Sequence, residues 1–271
     1  VSNESIKNYF DLSGRVILLT GAAGHLGSVI ALGLCKFGAT LIINDNNNEK
    51  LISLYERLRS CKYNCFPIVC DLQNDASLKI MTQHIRKKYK HLDGIINNAF
   101  MGKTGIIEKI TDKDFSNDYH ITVISAFRLI QELLPLLKKT AKKNIAGVSI
   151  VNVGSMYGTV SPDQRIYGDS DQNNPPQYGA AKAALIQLSK YLACHLAPFK
   201  IRVNSVSPGP FPNLTVTKQN KKFYKKLCDK CPMGRIGLAD ELVGPMVFLL
   251  SDASSYVTGI NLSVDGGWTA W

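Results

Sequence analysis

The stretch TGAAGHLG, Thr20 to Gly27, closes the apolar run RVILLT (15–20) and opens a second apolar segment. Gly21, Gly24 and Gly27 recur in it at spacings of three. Glycine at such positions suits a backbone that turns tightly and is approached closely. At a strand end that leads into a helix, Gly21 permits the turn and Gly24 admits a ligand to the backbone. Gly27 then lets helix and strand pack together. Free N–H groups at the helix N-terminus, with the helix dipole, favour a pyrophosphate, which places His25 and Leu26 in the same contact.

The next apolar run, ATLIIND (39–45), strengthens a pattern that is weak alone. It ends in Asp45, where a carboxylate accepts hydrogen bonds from an adenosine ribose and repels a 2′-phosphate. The NNN that follows supplies no Arg or Lys, and Lys50 falls on the next helix. NAD is therefore the expected cofactor, with NADP disfavoured.

The rest of the chain repeats the alternation. Short apolar runs CFPIVCD (65–71), DGIINN (93–98), GVSIVNVGS (147–155), IRVNSVSPG (201–209) and INLSVDGG (260–267) end in turn formers or polar residues. Helical patterns lie between, including 26–37, 76–89, 115–139, 177–197 and 239–251. Strands alternating with helices predict an α/β fold: a doubly wound parallel sheet of about seven strands with helices on both faces, in one domain over 1–271. Such sheets bind ligands beyond the carboxyl ends of their strands.

Composition narrows the class. The 271 residues are 45% hydrophobic and 20% charged, an ordinary globular balance. No apolar run approaches a membrane span. The start VSNESIKNYF lacks a secretory layout, so a cytoplasmic protein is expected. Seven cysteines at no framework spacing read as free thiols, and CDKC (228–231) lacks a second pair to make a metal site. The net charge of +11 is spread along the chain, which argues against a specific nucleic-acid site.

The landmarks TGAAGHLG, CDL (70–72), NNA (97–99), Ser155, YGAAK (178–182), SPG (207–209) and the tail from Gly234 occur in order across nearly the whole chain. In these it resembles the short-chain dehydrogenase/reductase family. The resemblance implies a Rossmann-type fold, a nicotinamide cofactor, a small-molecule substrate, and a homo-oligomer, tetramer or dimer. It also implies that Asp71 and Leu72 border the adenine, and that Asn97, Asn98 and Ala99 line the cofactor cleft. Pro208 and Gly209 would pass beside the nicotinamide.

Tyr178 and Lys182, four apart, share one helix face. A tyrosine with a pKa of ~10 is a poor base at neutral pH. A nearby ammonium and the oxidised nicotinamide are expected to favour its phenolate. Ser155, at the end of the fifth strand, would hold the substrate oxygen while Tyr178 exchanges its proton.

Three departures from the family pattern stand out. His25 occupies the place of a middle glycine, and NNAF puts Phe100 near the nicotinamide. The helical Asn of the family's proton relay is missing from DYHITVISAFRLIQ (118–131); Thr122 aligns there, with His120 nearby. The segment MYGTVSPDQRIYGDSDQNNPPQ (156–177) is longer than the family's usual spacing and reads as a loop over the site. With NNAF and the terminal DGGWTAW, it resembles oxidoreductases of flagellin modification and surface-sugar synthesis. Residues 211–235 correspond to a substrate lid, whose lysines 218, 221, 222, 225 and 226 either meet an anionic substrate or face solvent.

These readings predict an NAD-dependent oxidoreductase interconverting an alcohol and a ketone, with a polar sugar-like substrate. A 3-oxoacyl-thioester reductase and a non-catalytic cofactor-binding regulator are the alternatives.

Overall fold

The computed structural model describes residues 8–144, 147–213, 215, 218 and 220–271. Positions 214, 216, 217 and 219 of the expected lid thus lie outside the described residues. Seven parallel strands form one sheet: β1 (Val16–Thr20), β2 (Thr40–Asp45), β3 (Cys65–Val69), β4 (Gly94–Asn97), β5 (Val148–Val153), β6 (Ile201–Pro208) and β7 (Asn261–Val264). Their order is β3-β2-β1-β4-β5-β6-β7, so strand order reverses between β1 and β4. That reversal opens the crevice used by ligands in open α/β sheets.

Alternation along each strand divides the core. Ile17, Leu19, Leu41, Ile43, Ile96 and Val151 point to one face, and Leu18, Ile42, Ile95, Ile150 and Val203 to the other. The first face packs under α1 (His25–Lys36), α2 (Asn48–Ser60) and α8 (Val243–Leu250). The second packs under α3 (Asp75–Lys88), α5 (Ser125–Lys143) and α6 (Pro176–Leu196). Burying each such side chain contributes about 1.5–3 kcal/mol. The helical run 112–143 is long and apolar enough to cross a membrane, but Leu129, Leu133 and Leu137 are buried against the sheet.

Side-chain caps set several helix starts. Asn47 accepts from Lys50 N at α2, Asn74 from Ser77 N at α3, and Thr111 forms a capping box with Asp114 at α4 (Asp112–Tyr119). A π-helical stretch, His120–Ile124, joins α4 to α5. Such bulges recur at functional sites.

The loop expected over 156–177 contains two short 3-10 turns, Met156–Gly158 and Gln164–Ile166, before α6 begins at Pro176. It packs through Tyr157, Val160, Ile166 and Tyr167 on Phe223 and Leu227 of α7 (Lys221–Lys230) and on the tail residue Trp268. Lys226 Nζ donates to the Arg165 carbonyl at 2.5 Å, and Lys230 pairs with Asp163 at 3.2 Å. The apolar stripe of α7 thus faces the insertion. Lys221, Lys222 and Lys225 lie on its exposed side, where Lys225 pairs with Asp229. Of the two orientations open to the lysine stripe, these three take the solvent-facing one.

Candidate active site

The glycine loop is built against the end of β4. Thr20 Oγ1 donates to the Ile96 carbonyl and accepts from the Asn98 and Ala99 N–H groups, while Asn98 Nδ2 donates to the Thr20 and Gly21 carbonyls. Gly21 has φ of 61°, and a Cβ there would lie 2.7 Å from Ala99 Cα. At Gly27 a Cβ would lie 2.2 Å from the Gly21 carbonyl oxygen. The α1 N-terminus carries no side-chain cap and no acidic residue in its first turn. An uncapped N-terminus beside a glycine turn fits a dinucleotide pyrophosphate.

Gly27→Ala should therefore be costly, because the atoms it meets are backbone. We expect a loss of about 1–3 kcal/mol of stability, with NAD affinity weakened about tenfold or more as the loop is displaced. Thermal melting and NADH titration together check this.

A cavity of about 430 Å³ runs from this loop across the strand ends. Gly21, Gly24, His25, Leu26, Gly27, Asp45, Asp71, Leu72, Asn98 and Ala99 all line it. Asp45 Oδ2 accepts from Ala23 N and its Oδ1 from Asn47 N, each at 3.0 Å, which fixes the carboxylate beside the glycine turn. Lys50 is on α2 as expected, yet it lines the same cavity and brings a cation near Asp45.

One expected cofactor residue is absent from both cavities. Asn97 is buried and donates to Asn152 Oδ1 at 2.7 Å, and Asn152 donates on to Ser189 at 2.8 Å. Strand alternation turns the Asn97 side chain to the α6 side of the sheet, where it ties β4 to β5.

The second cavity, about 230 Å³, gathers Ser155, Tyr178, Lys182, Pro208 and Gly209 with Leu26, Asn98, Phe100 and Phe211. Phe100 stands edge-on to Tyr178 at 5.0 Å between ring centres, and Lys182 Nζ is 5.4 Å from the Phe100 ring. Phe100 of NNAF thus packs beside Tyr178 and Lys182. Phe211 was not legible, since it lies beyond the SPG landmark in a segment without a pattern. Ser155 Oγ accepts from Tyr157 N at 3.1 Å, which fixes its rotamer.

The electrostatics differ from expectation. Burial pushes the Tyr178 phenol above its ordinary value, while the Ser155 hydroxyl beside it pulls downward. The protein's own groups therefore do not depress this phenol. Lys182, 4% exposed, donates to the Val153 carbonyl at 2.7 Å, and burial lowers its ammonium to about 8. Positive charge arriving with an oxidised nicotinamide is what would favour the phenolate.

Comparison with known proteins identifies the family. A family model described as enoyl-(acyl carrier protein) reductase matches residues 21–269. The chain belongs to the short-chain dehydrogenase/reductase family. It is 32% identical over 256 residues to the 3-oxoacyl-[acyl-carrier-protein] reductase FabG of Thermotoga maritima, covering 94% of this chain and 98% of that one. The RhlG/NADP active-site complex of Pseudomonas aeruginosa superposes with a TM-score of 0.86 at 31% identity, covering 97% and 100% of the two chains. A gluconate 5-dehydrogenase from Burkholderia cenocepacia, in complex with NADP and tartrate, gives 0.85 at 27% identity, covering 97% and 98%. As a short-chain dehydrogenase/reductase the chain is an oxidoreductase on a nucleotide-binding Rossmann fold.

Proposed function

We propose that the chain is an NAD(H)-dependent oxidoreductase interconverting an alcohol and a ketone on a polar, sugar-like substrate. The observation that carries this is the convergence of Ser155, Tyr178 and Lys182 in one small cavity that shares Leu26, Asn98 and Phe100 with the glycine-loop cavity. The bound nicotinamide supplies the hydride chemistry. Ser155 orients the substrate oxygen, Tyr178 exchanges its proton, and Lys182 holds positive charge beside the phenol. Asp45 supports NAD, since its fixed carboxylate suits ribose hydroxyls and opposes a 2′-phosphate.

The 156–175 segment packs on α7 through Tyr167 against Phe223 (5.9 Å between ring centres) and through the Lys226 and Lys230 contacts. A second reading, reduction of a 3-oxoacyl thioester, is favoured by the name of the Thermotoga maritima relative.

A panel of polyols, sugar acids and sugar phosphates with NAD, run beside an acetoacetyl thioester with NADH, separates the two. Reduced cofactor should accumulate with a hydroxylated compound. Turnover confined to the thioester would reject the sugar-like assignment.

We also infer a homo-oligomer, dimer or tetramer. Phe115, Tyr119, Phe127 and Tyr191 leave apolar area exposed on α4, α5 and α6. Light scattering that gives the monomer mass at working concentration would contradict it.

A further inference from the structure

Across the contact between α4 and α6 lies a buried polar group that the assignments above leave unused. Asp118, Thr122 and Gln177 are 2%, 3% and 1% exposed. Asp118 Oδ2, Thr122 Oγ1 and both polar atoms of the Gln177 side chain make no well-formed protein hydrogen bond, although the Gln177 side chain lies near enough to Asp118 to favour its charged form. Leaving such atoms unsatisfied costs about 1–3 kcal/mol each, so a cluster of four marks a place for ordered water. Thr122 sits in the π-helical stretch. Asp118 precedes it by one turn on the same helical face.

The cluster adjoins the reacting groups. A Cβ on Gly102 would lie 2.7 and 2.8 Å from the two Asp118 oxygens and 2.5 Å from the Phe100 ring. That ring is the one packed edge-on to Tyr178. Gln177 immediately precedes Tyr178 on α6. The titratable groups around Asp118 are Asp114 on its own helix, Tyr178 and Lys182 on α6, and Lys103 on the loop after β4. Lys103 is paired with Asp114 at 2.7 Å, which leaves Lys182 as the cation that answers Asp118.

We propose that Asp118 is a positioning residue of the proton pathway, which with Thr122 and Gln177 holds water against Lys182 and supplies the anion that keeps its ammonium in place. This rests on the assignment of Tyr178 and Lys182 to nicotinamide-dependent chemistry. A carboxylate in this role takes the place of the relay Asn that the sequence lacks. In alcohol oxidation, the proton collected by Tyr178 passes outward through Lys182 and this water, the lysine releasing one proton as it receives another.

Burial raises the Asp118 carboxyl to about 6 and lowers the Lys182 ammonium to about 8. The two are therefore charged together between those values, which spans neutral pH. Because the folded carboxyl titrates above its unfolded value of ~3.9, its ionisation opposes folding. The penalty is absent below the unfolded value and complete above about 6.

The test compares wild type, Asp118→Asn, Asp118→Glu and Tyr178→Phe as full-length protein with NAD and the substrate found by the panel. Asp118→Asn should melt higher than wild type at pH 8 but not at pH 4, while its kcat at pH 7 falls about tenfold with KM little changed. An acid-limb ionisation near that of Asp118 should vanish from its pH profile, and Asp118→Glu should restore it. Lys182, followed by NMR of ¹³C-lysine and assigned by its loss in Lys182→Arg, should lose its proton at lower pH in Asp118→Asn.

An unchanged Lys182 titration, or a kcat–pH profile identical to wild type, overturns the proposal. If Asp118→Asn does not fold, wild type decides: a Lys182 resonance that does not move as the Asp118 carboxyl titrates overturns it. Tyr178→Phe separates the levels. Full turnover there defeats the enzymatic assignment, whereas a dead Tyr178→Phe beside a wild-type-like Asp118→Asn defeats only the role of Asp118.

Discussion

Replacing Tyr178 by Phe lowers kcat by about 10²–10⁴-fold, the usual contribution of a positioned acid–base group, and leaves NADH affinity nearly unchanged. The change deletes one hydroxyl and keeps the ring. The edge-on contact with Phe100 therefore survives, as does the packing around it. Lys182 differs in kind. It is buried and bonded to the Val153 carbonyl, so Lys182→Met removes both a charge beside the phenol and a tie between α6 and β5. Its ammonium loses its proton near 8, so the positive charge it carries is present below that pH and fades above it. Pre-steady-state measurement of hydride transfer isolates the chemical step from product release.

Replacing Asp45 by Ser lowers kcat/KM with NAD about 10- to 100-fold, because charge-assisted hydrogen bonds contribute about 1.5–3 kcal/mol. The same change raises kcat/KM with NADP, since the repulsion of a 2′-phosphate is gone and Lys50 lines the cavity to meet it. The wild type should favour NAD. An unaltered cofactor ratio in Asp45→Ser would show that the carboxylate does not face the ribose. Asp45 also accepts from Ala23 N, so part of the loss will come from a looser glycine turn.

The sequence carried the fold because its signals were local and repeated. Alternating apolar runs located all seven strands to within a few residues, and turn-forming or polar residues marked the ends where ligands gather. The glycine loop was legible for a steric reason: a Cβ at Gly21 or Gly27 meets backbone, so the residue type encodes the close approach. What stayed hidden depended on direction and on distant partners. In NNA, nothing in the letters says that Asn97 turns toward Asn152 while Asn98 turns toward the glycine loop. Spacing gave the lysines of α7 a common face, but only the packing of the helix shows that Lys221, Lys222 and Lys225 turn outward while Lys226 reaches the Arg165 carbonyl.

Tyr178 and Lys182 were legible as a pair, whereas the balance of charge around them was not. Burial dominates both groups, and burial is a property of the assembled fold. Asp118 is the sharpest case. An acid on the polar-looking helix DKDFSNDY reads as surface, yet the packing of α4 on α6 encloses it. The one available signal was its i, i+4 relation to Thr122, the residue aligned with the missing relay Asn.

The most direct measurement is a single-turnover reaction of wild type and Tyr178→Phe with NAD and the hydroxylated panel, following the absorbance of reduced nicotinamide. Wild type should give a rapid rise with at least one sugar-like alcohol and Tyr178→Phe a rise slowed at least a hundredfold, in line with the loss of a positioned proton acceptor. Equal rates in the two proteins, or cofactor binding with no transfer to or from any alcohol or ketone, would contradict the proposed function.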